Sequence, residues 1–411
     1  MTNNYAGNVV IGLDVGTAQT FAVIGEILPN GEVNVIGVGS QPSRGMDKGG
    51  VNDLDSVSRS IELALNQAAS LADCTVSSVY LSISGRHIHS QNEKGMVSID
   101  GPEVTQEDLE HVIHTARSVK IPTERQILHV LPQEYIIDEL EGIKSPVGMS
   151  GVRMEANVHM VTCAADWARN LTKCVERCGA RVDSLVFAGI ASADAVLTVD
   201  EKALGVCVID IGAGTADLAI YTGGVLRHCA VLPVAGNQVT NDIAKIFRTP
   251  LSHAEQIKMN YACARAALVA QDESIEVPSV GGRPARTMSR QTLAEVIEPR
   301  YQEMFEMMAQ ELRQSGFEEQ VSAGIVLTGG TAQTEGAETV AEEIFNMPVR
   351  VAAPIPVKGM HQHVAEPGFA TAIGLLRFGV DQLDKKMESR IEESDFGQSL
   401  RRARNWLKDL F

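Results

Sequence analysis

The clearest pattern of apolar and polar positions lies at 206–221, where the sequence reads VCVIDIGAGTADLAIY. An apolar run ends at Asp210, a glycine-rich turn follows, and a second apolar run begins after Asp217. This pattern predicts a strand, a tight turn and a second strand. Glycines let the N–H groups of a turn converge on an anion, and carboxylates beside an anion indicate a cation. The stretch therefore predicts a hairpin for a phosphate and a magnesium ion; an ordinary glycine-rich hairpin is the alternative.

A shorter form of the same pattern occurs near the start of the chain. The apolar run from Val9 ends at Asp14, Gly16 and Thr17 form the turn, and a second apolar run starts at Phe21. Repetition of such a turn predicts two structurally related halves. Each half would present an aspartate and backbone donors, so the two could bind a polyphosphate from opposite sides.

Between these hairpins the pattern predicts both helices and strands. Asp53 is expected to cap a helix that ends near Leu71, because apolar residues recur there every three to four positions. From 85 to 162 the pattern is looser, with strands on both sides of a helix capped by Thr105. We interpret this segment, which has no phosphate-type turn, as an inserted contact subdomain. The alternative is that it only thickens the first domain.

The second half contains further positions suited to a nucleotide. Gly236 and Asn237 lead into a helix whose start could present N–H donors to a phosphate. Glu255 and Lys258 lie one helical turn apart, and a solvated surface ion pair is the alternative for them. The glycine pair in TGGTAQ at 328–333 allows close approach of the backbone to a ligand. EPGFATAIGLL at 366–376 predicts a tightly packing small-residue helix.

The composition changes near the C-terminal end. Residues 381–398 are highly charged without aliphatic periodicity, and we interpret them as a flexible linker. Residues 399–411, SLRRARNWLKDLF, predict a helix with an apolar and a basic side. The apolar side would carry Leu400, Ala403, Trp406, Leu407, Leu410 and Phe411, and the basic side Arg401, Arg402, Arg404 and Lys408. This pattern is typical of an interfacial membrane anchor; a helix docked on the protein body is the alternative.

Composition and charge narrow the class of protein. With 411 residues, 44% of them hydrophobic, the chain is long enough for more than one domain with a sizeable core. A net charge of −17 argues against a nucleic-acid partner. The 7 scattered cysteines favour a reduced cytoplasmic protein over a zinc or disulfide framework. The pattern predicts neither a signal peptide nor a membrane span, so any membrane contact is expected to be peripheral.

Four stretches occur in an order that resembles the superfamily of actin, Hsp70 and sugar-kinase ATPases. They are LDVGTAQT, VIDIGAGTAD, VLTGGTAQTEG and EPGFATAIGLL. Within that superfamily, further stretches resemble the FtsA family of bacterial cell division proteins, in its gammaproteobacterial form. These are RGMDKGGVNDLDS, VYLSISGRHI, PQEY, GVRMEANVHM, VPSVGGRP and RQTLAEVIEPRY, together with the charged segment and amphipathic tail.

The resemblance implies an α/β, actin-like (ribonuclease H-like) fold with two lobes around an ATP cleft and an inserted α+β subdomain in the first lobe. The implied ranges are 1–84 and 163–204 for the first lobe (subdomain 1A), 85–162 for the inserted subdomain (1C), 205–242 and 303–380 for the second lobe (2A), 243–302 for subdomain 2B, 381–398 for the linker and 399–411 for the amphipathic membrane-targeting helix.

The resemblance also implies that ATP or ADP binds together with Mg²⁺. Asp14 and Asp210 would hold magnesium through water, and Asp217 would orient water or metal from further away. The phosphates would be contacted by Gly16, Thr17, Gly212, Gly214, Thr215, Gly236 and Asn237. The ribose would be reached by Glu255 and Lys258, and the adenosine would be lined by Gly329, Gly330 and Gln333.

The partners implied by the resemblance are those of a membrane adaptor. The C-terminal peptide of FtsZ would dock on the second lobe, near a long helix predicted at 291–315. The cytoplasmic segment of FtsN, further copies of this chain in a filament, and anionic membrane lipids would be the other partners. The implied location is peripheral, on the cytoplasmic face of the inner membrane at the division septum.

One departure from the superfamily pattern bears on catalysis. Actin-fold ATPases place a Glu or Gln in the first connecting helix to orient the attacking water, whereas this chain reads LVFAGIAS at 185–192. We therefore expect ATP to be bound and hydrolysed slowly or not measurably, with no residue assigned as catalytic. The alternatives are a small-molecule kinase on the same fold, an Hsp70-type chaperone and an MreB-like cell-shape filament protein.

Overall fold

The computed structural model describes residues 9–281 and 283–393 of the chain. The strands are β1 (Val9–Val15), β2 (Gln19–Ile27), β3 (Val33–Pro42), β4 (Met46–Asp47), β5 (Gly50–Val51), β6 (Ser78–Ile83), β7 (His89–Ser98), β8 (Arg125–Ile137), β9 (Leu140–Ile143), β10 (Arg153–Ala164), β11 (Arg181–Phe187), β12 (Val206–Ile211), β13 (Ala216–Thr222), β14 (Val225–Leu232), β15 (Ser274–Val277), β16 (Arg286–Ser289), β17 (Ile325–Thr328), β18 (Val349–Val351) and β19 (Lys358–Gly359).

Ten helices of the described residues lie between or after these strands. They are α1 (Leu54–Ala72), α2 (Gln106–Arg117), α3 (Ala165–Glu176), α4 (Ala188–Val196), α5 (Val199–Leu204), α6 (Gly236–Phe247), α7 (Leu251–Tyr261), α8 (Arg290–Gln314), α9 (Ala337–Phe345) and α10 (Ala370–Glu393).

Two mixed sheets, whose connectivity is the same apart from the additional strand β19 in the first, form the centres of the two lobes. The first has the order β11-β6-β1-β2-β3-β19, and the second has the order β14-β13-β12-β17-β18. In each sheet the first three strands of the unit are antiparallel and the later strands pair in parallel. This repetition confirms the two related halves and the two-lobed actin-like architecture that the paired hairpin pattern predicts.

Local sequence signals account for the helix that covers the first sheet. The Asp53 side chain accepts hydrogen bonds from the N–H groups of the first turn of α1, as expected for a helix cap. Its apolar stripe is buried, with Val57 and Ile61 at most 1% exposed. Gly37 and Gly39 on β3 face α1 so closely that a Cβ on Gly39 would lie 1.9 Å from the Ala64 carbonyl oxygen. These glycines let the helix and the sheet come into backbone contact.

Residues 85–162 form a subdomain with its own sheet and core. The sheet has the order β7-β10-β8-β9, and α2 packs against β7 and β10. Thr105 and Asp108 form a reciprocal capping box at the start of α2, as the sequence predicts for Thr105. Met154 and Val112 belong to a core cluster separate from those of the two lobes. The segment is therefore an inserted α+β subdomain, and not a thickening of the first sheet.

The structure corrects the predicted extent of the second lobe. Residues 303–380 are assigned to it from the sequence, but β19 pairs with β3 of the first sheet and α10 packs against β1, β2 and α4. The physical reason is the small-residue run at the start of α10, which fits closely against first-lobe backbone. The predicted boundary between 302 and 303 also falls inside the continuous helix α8.

The predicted linker is wrong over its first part, because α10 continues to Glu393. The segment DQLDKKMESRIEE contains good helix formers and no Gly or Pro. Extending an existing helix avoids the cost of nucleation, so a charged segment continues it readily. Residues 394–411, with the whole predicted amphipathic helix, lie outside the described residues. In the part of the chain that is described, no helix is long and apolar enough to cross a membrane.

Gly374→Val is expected to destabilise the protein by about 3 kcal/mol or more, because α4 and α10 cross at this glycine. A Cβ there would lie 1.7 Å from the carbonyl oxygen of Ala191 on α4, where only backbone could give way. The matched control is Gly368→Ala, whose Cβ would meet its nearest atom at 4.0 Å. Urea unfolding compares the two variants. Equal unfolding midpoints would contradict a backbone-to-backbone crossing.

Candidate functional site

A cleft of about 740 Å³ lies between the two lobes, with one aspartate hairpin on each wall. A cavity of this size is in the range of small-molecule and cofactor sites. Most of the residues predicted from the sequence as nucleotide ligands line it. They are Asp14, Gly16, Thr17, Asp210, Gly212, Gly214, Thr215, Asp217, Glu255, Lys258, Gly329, Gly330 and Gln333.

The two hairpins have the same turn geometry and approach each other closely. The Gly16 N–H donates to the Gln19 carbonyl, and the Gly212 N–H donates to the Thr215 carbonyl, each at 3.0 Å. These two glycine amides therefore close their own turns, which corrects their expected role as phosphate donors. A Cβ on Gly214 would lie 2.5 Å from Thr17 Oγ1, so glycine at 214 allows the two turns to meet.

Hydroxyl groups hold each of the three aspartates in place. Ser82 Oγ donates to Asp14 at 2.6 Å, and Thr371 Oγ1 donates to Asp210 at 2.9 Å. The third carboxylate, on Asp217, accepts a hydrogen bond from Ser84 Oγ at 2.5 Å. The cleft thus presents three oriented carboxylates, contributed by β1, β12 and β13.

The electrostatics of these carboxylates favour a bound cation. Burial raises the pKa of Asp14 to about 7 and that of Asp210 to about 6. Burial and the neighbouring carboxylate of Asp210 raise the pKa of Asp217 well above its ordinary value. Negative charge in this cleft is therefore costly until a positive charge offsets it.

The donor set fits a hydrated magnesium ion. Carboxylate oxygens are the ligands that Mg²⁺ prefers, and this ion usually keeps several of its waters. Among the described residues, no three His, Cys, Asp or Glu side chains are close enough together to hold a metal ion directly. The expectation that Asp14 and Asp210 hold magnesium through water stays a prediction.

Gly236 and Asn237, which are predicted to approach the phosphates, lie directly against the second hairpin and bond to it through their backbone N–H groups. The Gly236 N–H donates to the Gly212 carbonyl at 3.1 Å, and the Asn237 N–H donates to the Ala213 carbonyl at 2.7 Å. These two N–H groups therefore bind the start of α6 to the second hairpin. The sequence pattern indicates a helix start that binds an acceptor, but that acceptor is the protein's own backbone.

Glu255 and Lys258 form a partly enclosed pair on α7, and not a solvated surface pair. Lys258 is buried, and its Nζ lies 2.8 Å from Glu255 Oε2 and 2.9 Å from Thr240 Oγ1. Lys258 Nζ also donates to the Gly236 carbonyl at 3.2 Å. The pair is therefore held at the cleft wall by the second lobe, where it can meet a ligand hydroxyl.

The glycine pair after β17 lies against the second aspartate. Gly329 has φ +87°, and a Cβ there would lie 2.3 Å from Asp210 Oδ1. A Cβ on Gly330, by contrast, would meet nothing within 4 Å, so this residue faces open space in the cleft. The first glycine makes room for the carboxylate, and the second leaves space for a ligand.

Sequence reasoning missed four polar residues at this site: Ser82, Ser84, Thr371 and Arg290. Ser82 lies near the end of β6 and Ser84 directly after it, at alternate positions, so a period of two could have placed both on one face. Arg290 lines the cleft and pairs with Glu273 at 2.7 Å and with Glu335. No local signal identifies Thr371 or Arg290, because their partners are distant in sequence.

The first connecting helix, α4, brings no acid or amide group to the cleft. Its contribution to the lining is Ala188. Asp194 on the same helix pairs with Lys202 at 2.6 Å, and Ser192 is fully buried. The structure thus agrees with the sequence in showing no Glu or Gln of α4 in the cleft lining.

Sequence comparison decides the family. The chain is 54% identical over 413 residues to the cell division protein FtsA of Escherichia coli (strain K12), a match that covers 98% of each chain. The chain belongs to the FtsA family. The FtsA of Pseudomonas aeruginosa is 47% identical over 417 residues, with 100% of both chains covered. Full-length matches at this identity identify a cell division protein and decide against the kinase, chaperone and MreB-like families.

Family models agree with this assignment. The model for cell division protein FtsA matches residues 207–374, and the model for the SHS2 domain inserted in FtsA matches residues 85–162. The second match covers the segment that forms a separate sheet and core in the structure. The FtsA family recognised in the sequence, and its inserted subdomain, are thus confirmed.

Solved structures show the same fold at low sequence identity. The PilM–PilN type IV pilus biogenesis complex contains a chain with a TM-score of 0.64 and 16% identity, covering 90% of this chain and 98% of that one. MreB5 of Spiroplasma citri bound to ADP has a TM-score of 0.55 and 14% identity, covering 94% and 99%. These likenesses confirm the actin-like fold of this FtsA family member.

Proposed function

We propose that this FtsA family protein binds ATP or ADP with magnesium in the cleft between its lobes. The observation that carries the proposal is the pair of aspartate hairpins, one on each wall, with Asp14 and Asp210 both buried at the cleft. A structure of MreB5, a protein of the same fold, contains ADP. The magnesium ion would supply charge neutralisation for the phosphates.

Different residues of the cleft would contact different parts of the nucleotide. Asp14 and Asp210 would hold the hydrated cation, and Thr17, Gly214 and Thr215, which line the cleft on the two turns, would contact phosphate oxygens. Glu255 and Lys258 would reach the ribose. The open space beside Gly330, with Gln333 at its rim, would receive the adenosine.

We propose further that hydrolysis is slow or not measurable. Ala188 is the residue that α4 contributes to the cleft, and a methyl group cannot orient or deprotonate an attacking water. Positioned acid–base groups typically contribute about 10²–10⁴-fold to such a step. The nucleotide would then act by holding the two lobes in a closed arrangement, and not as a substrate in rapid turnover.

The cellular role that fits these features is a membrane adaptor for division. The protein would tether FtsZ filaments through the C-terminal peptide of FtsZ, bound on the second lobe near α8, and would respond to the cytoplasmic segment of FtsN. The basic amphipathic segment at 399–411 would bind anionic lipids on the cytoplasmic face of the inner membrane at the septum. Filaments of this chain would strengthen the attachment, because many weak anchors act together.

Affinity for magnesium–ATP is expected to rise about tenfold from pH 6 to pH 8. Burial raises the pKa of Asp14 to about 7 and that of Asp210 to about 6, so the empty cleft is partly protonated at neutral pH. Binding the hydrated cation requires the charged carboxylates, so protons must leave. Affinity should therefore weaken as the pH falls through 7 and level off above about pH 8.

Titration calorimetry in two buffers with different ionisation enthalpies tests this expectation and the proposed function together. Magnesium is kept in excess so that the titration of ATP itself contributes little. Tight binding with net proton release near pH 7 supports the proposal. A wild-type protein that shows no binding heat and no fluorescent-nucleotide displacement at pH 8 would refute nucleotide binding.

A further inference from the structure

The inserted subdomain is attached to the first lobe at a joint that reaches the cleft. Ser84, the last residue before the subdomain, donates from Oγ to Asp217 Oδ1 at 2.5 Å. Asp217 lies on β13 of the second lobe, so this hydrogen bond crosses between the lobes. The joint is tightly enclosed: a Cβ on Gly49 would lie 2.3 Å from the Ser84 carbonyl oxygen, and Trp167 packs against Gly85. A displacement of Ser84 would therefore also displace the start of the inserted subdomain, which follows it directly in the chain.

The subdomain is also attached to the second lobe on its other side. Ser90 Oγ on β7 donates to the Cys229 carbonyl at 2.8 Å and accepts from the Cys229 N–H at 3.3 Å. Gln133 Nε2 on β8 donates to the Leu226 carbonyl at 2.8 Å. Cys229 and Leu226 are buried on β14, the outer strand of the second sheet. We call this contact of Ser90, Gln133, Leu226 and Cys229 the β14 seat.

Strand β13 connects the two attachments inside the second lobe. In its antiparallel register with β14, Asp217 pairs with Val231 and Ala219 pairs with Cys229. The Asp217 position and the β14 seat are thus two residues apart along one hydrogen-bonded ladder. A shift of Asp217 relative to the first lobe would therefore strain both the Ser84–Asp217 hydrogen bond and the β14 seat.

We propose that the inserted subdomain transmits the occupancy of the cleft to the protein surface, by shifting on the β14 seat as the Ser84–Asp217 hydrogen bond weakens or strengthens. This inference rests on the proposed function, because it needs a nucleotide and a cation in the cleft. A hydrated cation held by Asp14 and Asp210 would change the electrostatics of the neighbouring Asp217 carboxylate, which accepts the Ser84 hydrogen bond, so this cross-lobe bond would differ between the empty and the filled cleft. A ligand shifts a conformation only through such a difference.

Reciprocity gives the inference a second consequence. If magnesium–ATP shifts the β14 seat, then a change that weakens the seat must also change the affinity for magnesium–ATP, because the two equilibria are linked. Gln133 serves to test this because it lies outside the cleft lining and its side chain donates to the Leu226 carbonyl at the seat. Gln133→Met keeps the length of the side chain and removes its donor. Gln91→Met is the matched control, because the Gln91 amide bonds Glu93 on its own strand.

Hydrogen exchange of the full-length protein, with and without saturating magnesium–ATP, measures the seat directly. In the wild type, amide exchange in β7 and β14 is expected to change about fivefold or more when the ligand is added. Gln133→Met should raise exchange there without ligand and change the calorimetric Kd for magnesium–ATP by about fivefold or more. Gln91→Met should change neither quantity. In Ser84→Ala, which lacks the cross-lobe hydrogen bond, addition of magnesium–ATP should no longer change exchange at the seat.

Failure of this inference and failure of the proposed function would give different experimental results. Wild-type protein that binds magnesium–ATP in the calorimeter but shows unchanged exchange at β7 and β14 overturns the inference alone. A loosened seat with wild-type affinity also overturns it. A wild-type protein that does not bind magnesium–ATP refutes the proposed function together with the inference. If Gln133→Met shows no cooperative thermal unfolding, Ser90→Ala replaces it, since Ser90 is only half-buried.

Discussion

Asp210→Asn is expected to bind magnesium–ATP about 10–100-fold more weakly than the wild type, and yet to unfold at a higher temperature when empty. The loss of affinity follows from the role proposed for this carboxylate, which would hold the hydrated cation on the second wall of the cleft. Water-mediated partners of a metal commonly contribute affinity of this size. Calorimetric titration measures the loss.

The gain in stability follows from the cost of the charge in the empty cleft. Burial raises the pKa of Asp210 to about 6 and that of Asp14 to about 7. At pH 8 both carboxylates are therefore ionised, although burial favours their neutral forms. A folded-state pKa above the unfolded value means that this stability term is lost as the pH rises through it. The neutral amide removes a cost on the order of 1–3 kcal/mol at pH 8, while Thr371 can still bond to it.

A loss of affinity together with a gain in thermal stability distinguishes this explanation from damage to the fold, which would lower both. Asp183→Asn is the control, because Asp183 lies at the surface of the first lobe and is paired with Arg181. It should leave the affinity for magnesium–ATP unchanged. An Asp210→Asn protein that binds as tightly as the wild type would remove Asp210 from the cation site. One that loses binding and also melts at a lower temperature would refute the electrostatic account.

Removal of residues 399–411 is expected to abolish binding to vesicles that contain anionic lipid. Burial of a large apolar side chain contributes roughly 1.5–3 kcal/mol, and each basic residue near an anionic surface adds about 1 kcal/mol. Trp406→Glu should reduce partitioning at least about tenfold, because it places a charge in the apolar face. Lys408→Arg keeps the charge and should bind like the wild type. Co-sedimentation with vesicles measures all three variants.

Two outcomes would count against the anchor. Equal sedimentation of the truncated and complete chains would show that the membrane contact lies elsewhere. Binding that survives Trp406→Glu but is lost at high salt would show attraction by charge alone, without insertion of the apolar face. The alternative of a helix docked on the protein body predicts that truncation lowers the unfolding temperature, which scanning calorimetry detects.

The aspartate hairpins and the inserted subdomain could be predicted from the sequence because their signals are local. Asp14 and Asp210 end apolar strands and precede glycine turns, so a few consecutive residues determine both the shape of the turn and the side chain beside it. The capping of α1 by Asp53 is equally local. In each case the residues that interact are neighbours in the chain, and their spacing contains the geometry.

The sequence was misleading where a local signal had more than one physical partner. Gly236 and Asn237 do present N–H groups at a helix start, but those groups bond Gly212 and Ala213 of the second hairpin. The charge-rich segment after 380 resembles a linker in composition, but the helix that precedes it extends through it to Glu393. The hydrogen-bond donors and the charge of these segments were identified correctly from the sequence, but the acceptor of the donors and the secondary structure of the charged segment were not.

The sequence by itself determined the family, the two-lobed fold and both aspartate hairpins, because periodicity and short motifs encode them. Only the tertiary structure decided which lobe α10 joins, which hydroxyls hold the aspartates, and where the inserted subdomain meets the second lobe. Thr371 and Asp210 are separated by 161 residues, and Ser84 and Asp217 by 133. Contacts over such distances depend on how whole elements pack, and no local spacing specifies that packing.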